Sequence, residues 1–310
     1  MKDRIVVLGA GALSLGFLGP ELSETYDLTF LDTQAKADLI KDVRHARAYT
    51  INVAGDMIER LPVRSIEAFR IDLPEDDPAI RAHVEQARIF FTAVGIRNLD
   101  KALTWLHERI RDRRDAIYVL CAENGQSIAE KWRKEFPDNI RLCDTVMGRM
   151  CRIEEAAEPE YAPVTGGLEW GVVAEPLRGI PVSNRFHDPA VFDGEAILFV
   201  PDAEFHARER IKLFAHNGLH FYIAALGRLR NVKRLSDLAD NAAVRMSVHA
   251  LLQKEIAPAL WRDCGKHIGR KAFDRYMREL PERLFSKTLK DRVSRGIRNV
   301  EAKFEPGERI

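Results

Sequence analysis

The stretch that most narrows what this chain can fold into is RIVVLGAGALSLGFLG, residues 4–19. Its opening IVVL is apolar and β-branched, the composition of a buried parallel strand. Glycines follow at 9 and 11, then Ser14 and Gly16, and ALSLGFLGPEL can open a helix. The same residues also admit a leader-peptide reading, because Lys2 and Arg4 precede an apolar run. That reading has to place glycines inside the hydrophobic region, and it finds no A-x-A-like cleavage site. The next segment, YDLTFLDT, decides between the two: it is a second short strand and it ends on Asp32.

Strand, glycine turn, helix and acidic strand end make a dinucleotide-binding βαβ pattern, and the interval from Gly9 to Asp32 is the one such a unit needs. Gly9 permits the tight turn, and Gly11 lets the backbone approach a pyrophosphate whose charge the helix N-terminus favours. Ser14 stands where a third glycine is usual, so the fingerprint reads GxGxxS followed by Gly16. Asp32 can accept hydrogen bonds from the adenosine ribose hydroxyls and would repel a 2′-phosphate, which predicts NAD over NADP.

Composition bounds the partners. Lys plus Arg total 48 against 47 Asp plus Glu, a balance that argues against a general nucleic-acid or membrane-surface binder. No apolar run reaches the roughly 18 to 20 residues needed to span a bilayer. The four cysteines (121, 143, 151 and 264) make no CxxC pair, and such sparse use suits a reducing compartment. The expectation is a soluble cytoplasmic protein of 310 residues, long enough for two domains.

Further strands are expected at ARIFFTAVG (87–95), ending at Gly95 beside the cofactor, and at DAIYVLCAENG (115–125). The charged helix between them, around 98–114, is expected to face solvent, and IRLCDTVMGRM (140–150) reads as one more strand. From 153 to 201 prolines punctuate short β-like runs such as LEWGVVAEP, which read as an extension of the first domain's sheet. Beyond 201 the periodicity turns helical. The predicted architecture is α/β: a Rossmann-type dinucleotide-binding domain with extended sheet over 1–201, then a mainly α-helical substrate domain over 202–310.

The first long helix contains KLFAHNGLH, residues 212–220. On a regular α-helix Asn217 lies about 140° and His220 about 80° around from Lys212, so all three can face one cleft. Here the chain resembles the polyol-specific long-chain dehydrogenases, the mannitol dehydrogenase family, whose signature helix is K-x4-N-x2-H. The resemblance recurs in order: GAG....GF.G at 9–19, TFLD at 29–32, TAVG at 92–95, CAENG at 121–125, and RGIRNVEAKF at 295–304.

The resemblance implies a metal-independent reaction with NAD in which Lys212 is the general base. A lysine at its usual pKa of about 10.4 is protonated, so burial beside other cations has to bring it down. Neutral Lys212 would take the proton of a secondary hydroxyl, Asn124 and Asn217 would stabilise the alkoxide, and His220 would orient the substrate or the lysine. Arg295, Arg298 and Lys303 would bind an anionic sugar or polyol. The R-x-x-R spacing of Arg295 and Arg298 favours the branch acting on mannitol 1-phosphate and fructose 6-phosphate. A hexonate or hexuronate would suit the same cations, and a non-catalytic dinucleotide sensor is the alternative from another class. The oligomeric state is not set by these features.

Blander readings accompany each element. Asn217-Gly218 can end a helix, Asn124-Gly125 can be a turn, and the basic segment can be a solvated face. His216 and His220 stand at the spacing of a zinc pair, but no HExxH or third ligand accompanies them. The chain also departs from the family pattern. Gly148 in DTVMGRM replaces an Asp expected to bond a polyol hydroxyl, and Leu15 replaces the Arg usual after the cofactor glycines. The family's substrate domain is expected to run several tens of residues past Ile310.

Overall fold

A computed structural model describes residues 2–123, 127–155 and 160–298 of the chain. It divides into two compact units, Met1–Phe199 and Val200–Ile310.

The strands are β1 (Arg4–Leu8), β2 (Asp27–Asp32), β3 (Ala48–Ala54), β4 (Ile58–Arg64), β5 (Ile66–Arg70), β6 (Ile89–Thr92), β7 (Ile117–Cys121), β8 (Ile140–Asp144), β9 (Cys151–Glu155), β10 (Trp170–Ala174), β11 (Ile180–Ser183) and β12 (Ile197–Val200). Six of them form one sheet in the order β5-β2-β1-β6-β7-β8, every neighbouring pair parallel. This is the doubly wound order, and it reverses between β1 and β6. The register aligns Leu8 with both Leu31 and Thr92, and Thr92 with Cys121. Gly9, Asp32 and Ala93 therefore leave the sheet at one edge, where ligands of such sheets collect.

The strands read as continuous apolar runs because both faces are covered. Alternate residues separate onto the two sides: Ile5, Val7, Phe91 and Leu120 join one cluster, Val6, Leu8, Phe90 and Val119 the other. The helices of this unit are α1 (Gly19–Leu22), α2 (Ala37–Ala46), α3 (Asp77–Gln86), α4 (Ile96–Ile110) and α5 (Ile128–Trp132). The expectation for α4 needs correction: it is charged outside, but Leu99, Leu103, Leu106 and Ile110 form a buried stripe against the sheet.

Two strand expectations are also revised. The strand at 140 ends at Asp144, and the chain turns before β9 begins at Cys151. The proline-punctuated region belongs to the first unit, yet its strands do not hydrogen-bond onto the six-stranded sheet. They form a second sheet, β4-β3-β10-β9, and the pair β11-β12. The β3–β4 hairpin, inserted between α2 and β5, supplies the parallel edge on which β10 lies.

The second unit is helical: α6 (Asp202–Ile211), α7 (Gly218–Leu229), α8 (Ala242–Leu251), α9 (Ala257–Cys264), α10 (Arg270–Leu284) and the short α11 (Val293–Gly296). α6 and α7 are joined without a break by a π turn over Lys212–Asn217. Among the described residues no helix is long and apolar enough to cross a membrane, and all four cysteines are free thiols.

Candidate functional site

In the first unit the turn after β1 is pinned from both neighbouring strands. The Gly9 N–H donates to the Leu31 carbonyl at 2.7 Å, and Ala93 N–H donates to the Leu8 carbonyl at 2.8 Å. Gly9 has φ +99°, and a Cβ there would lie 2.6 Å from the Ala93 carbonyl oxygen. Only glycine fits both demands. At Gly11, by contrast, no atom lies within 4 Å of where a Cβ would stand, so the backbone borders open space. Asp32 accepts the Ala10 N–H at 2.7 Å through one carboxylate oxygen and the Thr33 N–H at 2.7 Å through the other. A carboxylate has about four acceptor positions, so capacity for ribose hydroxyls remains.

Gly95, with φ +79°, also borders open space at the head of α4. Ser14 and Gly16 follow the glycine turn. Both are buried, in a π turn over Ser14–Leu18. A Cβ at Gly16 would lie 3.0 Å from Cys151 Sγ and from Val172 Cγ1, which lie in the second sheet. Gly16 thus lets the turn's helix lie close against that sheet.

Sequence reasoning passed over Glu123. Its carboxyl accepts the Thr92 hydroxyl at 2.6 Å and the Val94 N–H at 3.1 Å, tying the ends of β6 and β7 together. Burial pushes this carboxyl up, against the hydrogen bonds from Thr92 and from backbone amides that lower it. The adjacent Asn124 lies outside the described residues, as does Lys303.

In the second unit Lys212, Asn217 and His220 occupy one uninterrupted helical path, but not the regular α-helix assumed from spacing. The Gly218 N–H reaches back to the Leu213 carbonyl, an i to i−5 bond. A π turn winds more slowly than an α turn, so the angles of about 140° and 80° do not hold. Such turns occur frequently at functional sites. Lys212 and Asn217 are half-buried, and His216 between them is buried.

His220 Nε2 donates to Asp291 Oδ2 at 2.9 Å, and Arg295 Nε sits 3.2 Å from Asp291 Oδ1. Asp291 is 2% exposed. Burial alone would raise its carboxyl, but Arg295, His220 and the Arg292 N–H bring it down to about 2. The arrangement depends on a close crossing. A Cβ at Gly296 would lie 2.4 Å from Ala224 Cβ and 3.3 Å from the His220 carbonyl oxygen. Glycine there lets α11 lie directly on α7.

Burial holds the His216 imidazole well below its usual range, and Arg283, His220, Lys212 and Arg295 act in the same direction. Five basic side chains thus share one neighbourhood with one buried carboxylate. His216 and His220 have ring centroids 6.4 Å apart, and among the described residues no group of three or more His, Cys, Asp or Glu could hold a metal ion. Arg298 is exposed one turn beyond Arg295, its N–H on the Arg295 carbonyl at 3.5 Å.

Comparison with known proteins gives consistent results. Residues 3–143 match the family model of the mannitol dehydrogenase Rossmann domain. Mannitol-1-phosphate 5-dehydrogenase of Thermoanaerobacter pseudethanolicus is 25% identical over 99% of this chain and 79% of its own. The Exiguobacterium enzyme of that name is 23% identical over 99% and 78%. The solved ternary complex of Pseudomonas fluorescens mannitol 2-dehydrogenase with NAD and D-mannitol shares the fold, with TM-score 0.73 at 14% identity over 96% of this chain and 71% of that one. With its glycine turn and its lysine–asparagine–histidine helix, the chain matches the mannitol dehydrogenase Rossmann domain over residues 3–143 and is similar along nearly its whole length to mannitol-1-phosphate 5-dehydrogenases.

Proposed function

We propose that this protein is an NAD-dependent oxidoreductase that interconverts a polyol phosphate and its ketose, with mannitol 1-phosphate and fructose 6-phosphate as the leading pair. The supporting observation is that the signature helix and the basic segment meet. His220, on α7, and Arg295, 75 positions later in sequence, share the buried carboxylate of Asp291. A sensor of dinucleotide alone would need only the first unit.

NAD fits the first unit because Gly9 allows the tight turn, Gly11 leaves the backbone bare at the sheet edge, and Asp32 stands at the end of β2. When bound, it supplies the acceptor or donor of a hydride. The chain's own residues manage the proton. Lys212, as the neutral amine, takes the hydroxyl proton, and in the reverse direction returns it to the ketose oxygen. Asn217 and Asn124 donate hydrogen bonds to the oxygen as its charge grows. Arg298 and Lys303, with the fork of Arg295, hold the anionic end of the substrate.

A second reading has its own support. Asp291 balances the charge of Arg295, and a site with fewer net positive charges suits a carboxylate better than a phosphate dianion. The substrate would then be a hexuronate-type ketose. Following NADH oxidation with fructose 6-phosphate, fructose, fructuronate and tagaturonate separates the readings. The phosphorylated ketose is expected to have the largest kcat/KM. A preference for either uronate transfers the assignment to sugar acids, and NADH bound but oxidised by none leaves a dinucleotide sensor.

A further inference from the structure

We propose that Asp291 is a positioning residue that sets the tautomer of His220 and the aim of Arg295, an inference that rests on the functional reading above. The carboxylate is ionised and carries no proton, so the hydrogen in the 2.9 Å contact belongs to His220 Nε2. In the neutral ring this leaves Nδ1 as the acceptor. Nδ1 then takes a hydrogen bond from a hydroxyl of the substrate or from the Lys212 amine. With the opposite tautomer Nδ1 would donate into the lone pair that the Lys212 amine needs for the substrate proton.

Three further observations show that the carboxylate is built into place. Its oxygens are both used: Oδ2 by His220, Oδ1 by Arg295 Nε and by the Arg292 N–H at 2.8 Å. The backbone on either side is clamped to the segment after α7. Leu235 N–H donates to the Asp291 carbonyl at 2.8 Å, and Val293 N–H donates to the Lys233 carbonyl at 3.0 Å. The preceding residue, Lys290, holds φ +50°, a left-handed conformation that a side-chain-bearing residue adopts at a cost. The chain accepts that conformation immediately before the carboxylate, and the bridge Arg234–Arg292 fixes it immediately after. An aspartate serving only as a surface ion-pair partner would need none of these constraints.

Orientation of a histidine by a buried carboxylate is a general device, and exchanging the carboxylate for its amide reverses the tautomer. Asp291→Asn preserves size and can present N–H to Nε2. The test is nitrogen NMR of the histidines in the full-length protein, joined to steady-state kinetics. In the wild type the His220 proton is expected on Nε2, and in Asp291→Asn on Nδ1. The substitution is expected to lower kcat roughly 100-fold while the Kd for NADH stays within about twofold. In a His220→Ala background the same substitution should change kcat by less than about threefold, because the effect on kcat runs through the histidine, while the aim of Arg295 registers in KM.

A wild-type His220 protonated on Nδ1 overturns the proposal, and this reading needs no variant to fold. Full additivity of the two substitutions overturns it equally. If the wild type oxidises NADH with none of the ketoses, the functional reading falls, while the NMR measurement still decides whether Asp291 sets the tautomer.

Discussion

The Ala10 N–H and the Asp32 carboxylate are 2.7 Å apart, so the residue that ends β2 also closes the turn that ends β1. On the proposed reading, cofactor selection and turn geometry are therefore one feature. Asp32→Ala should lower the preference for NADH over NADPH by at least tenfold. It should also cost roughly 1–2 kcal/mol of stability, since a charged acceptor is removed from a backbone donor. Fluorescence titration with both nucleotides and urea denaturation measure the two effects, and loss of selectivity at full stability would separate them.

Lys212→Met keeps the length of the side chain and removes its basicity. We expect kcat to fall by about 10²- to 10⁴-fold, the range for loss of a general base, with NADH affinity unchanged within about twofold. Turnover equal to wild type would remove Lys212 from the chemistry.

Acid stability should reveal Asp291. Its carboxyl is held at about 2 in the folded protein against an ordinary 3.8, so the folded state binds the proton more weakly than the unfolded chain does. The contribution is complete above the ordinary value and is lost as pH falls from about 4 through 2. A difference of this size corresponds to about 2 kcal/mol. Wild type should accordingly lose more stability than Asp291→Asn between pH 5 and 2 in parallel denaturation series, and identical slopes would contradict the pairing.

Gly296→Ala tests the crossing of α11 on α7. The added methyl meets Ala224 Cβ at 2.4 Å, closer than carbon atoms can approach. The helices must part, at about 1–3 kcal/mol. Arg295 and Asp291 move with α11, so kcat should fall with stability. A stable variant with normal turnover would show that the spacing of these helices is not critical.

The sequence carries the first unit well because its signals are local. β1, β6 and β7 are apolar runs bounded by turn residues, and the Gly9–Asp32 interval specifies how one strand meets the next. What escaped was non-local. Asp291 lies 71 positions from His220, within a charged segment that looks like any solvated surface. Glu123 lies in CAENG, where attention fell on Asn124, yet its carboxyl reaches across to Thr92. The buried face of α4 is visible in the spacing of Leu99, Leu103, Leu106 and Ile110 once charge is set aside. The separation into three sheets is not visible, because any short apolar strand can pair with several others, and only the placement of the β3–β4 hairpin selects β10.

The wide turn at Lys212–Asn217 gives this helix one more residue than an evenly wound path of the same span requires. Deletion of a single position, such as the exposed Phe214, would let the same span settle into ordinary winding, leaving α6 and α7 in register while changing how Lys212 and Asn217 face each other. Substitutions here change the chemistry of the groups, whereas loss of one residue would remove the wide turn itself.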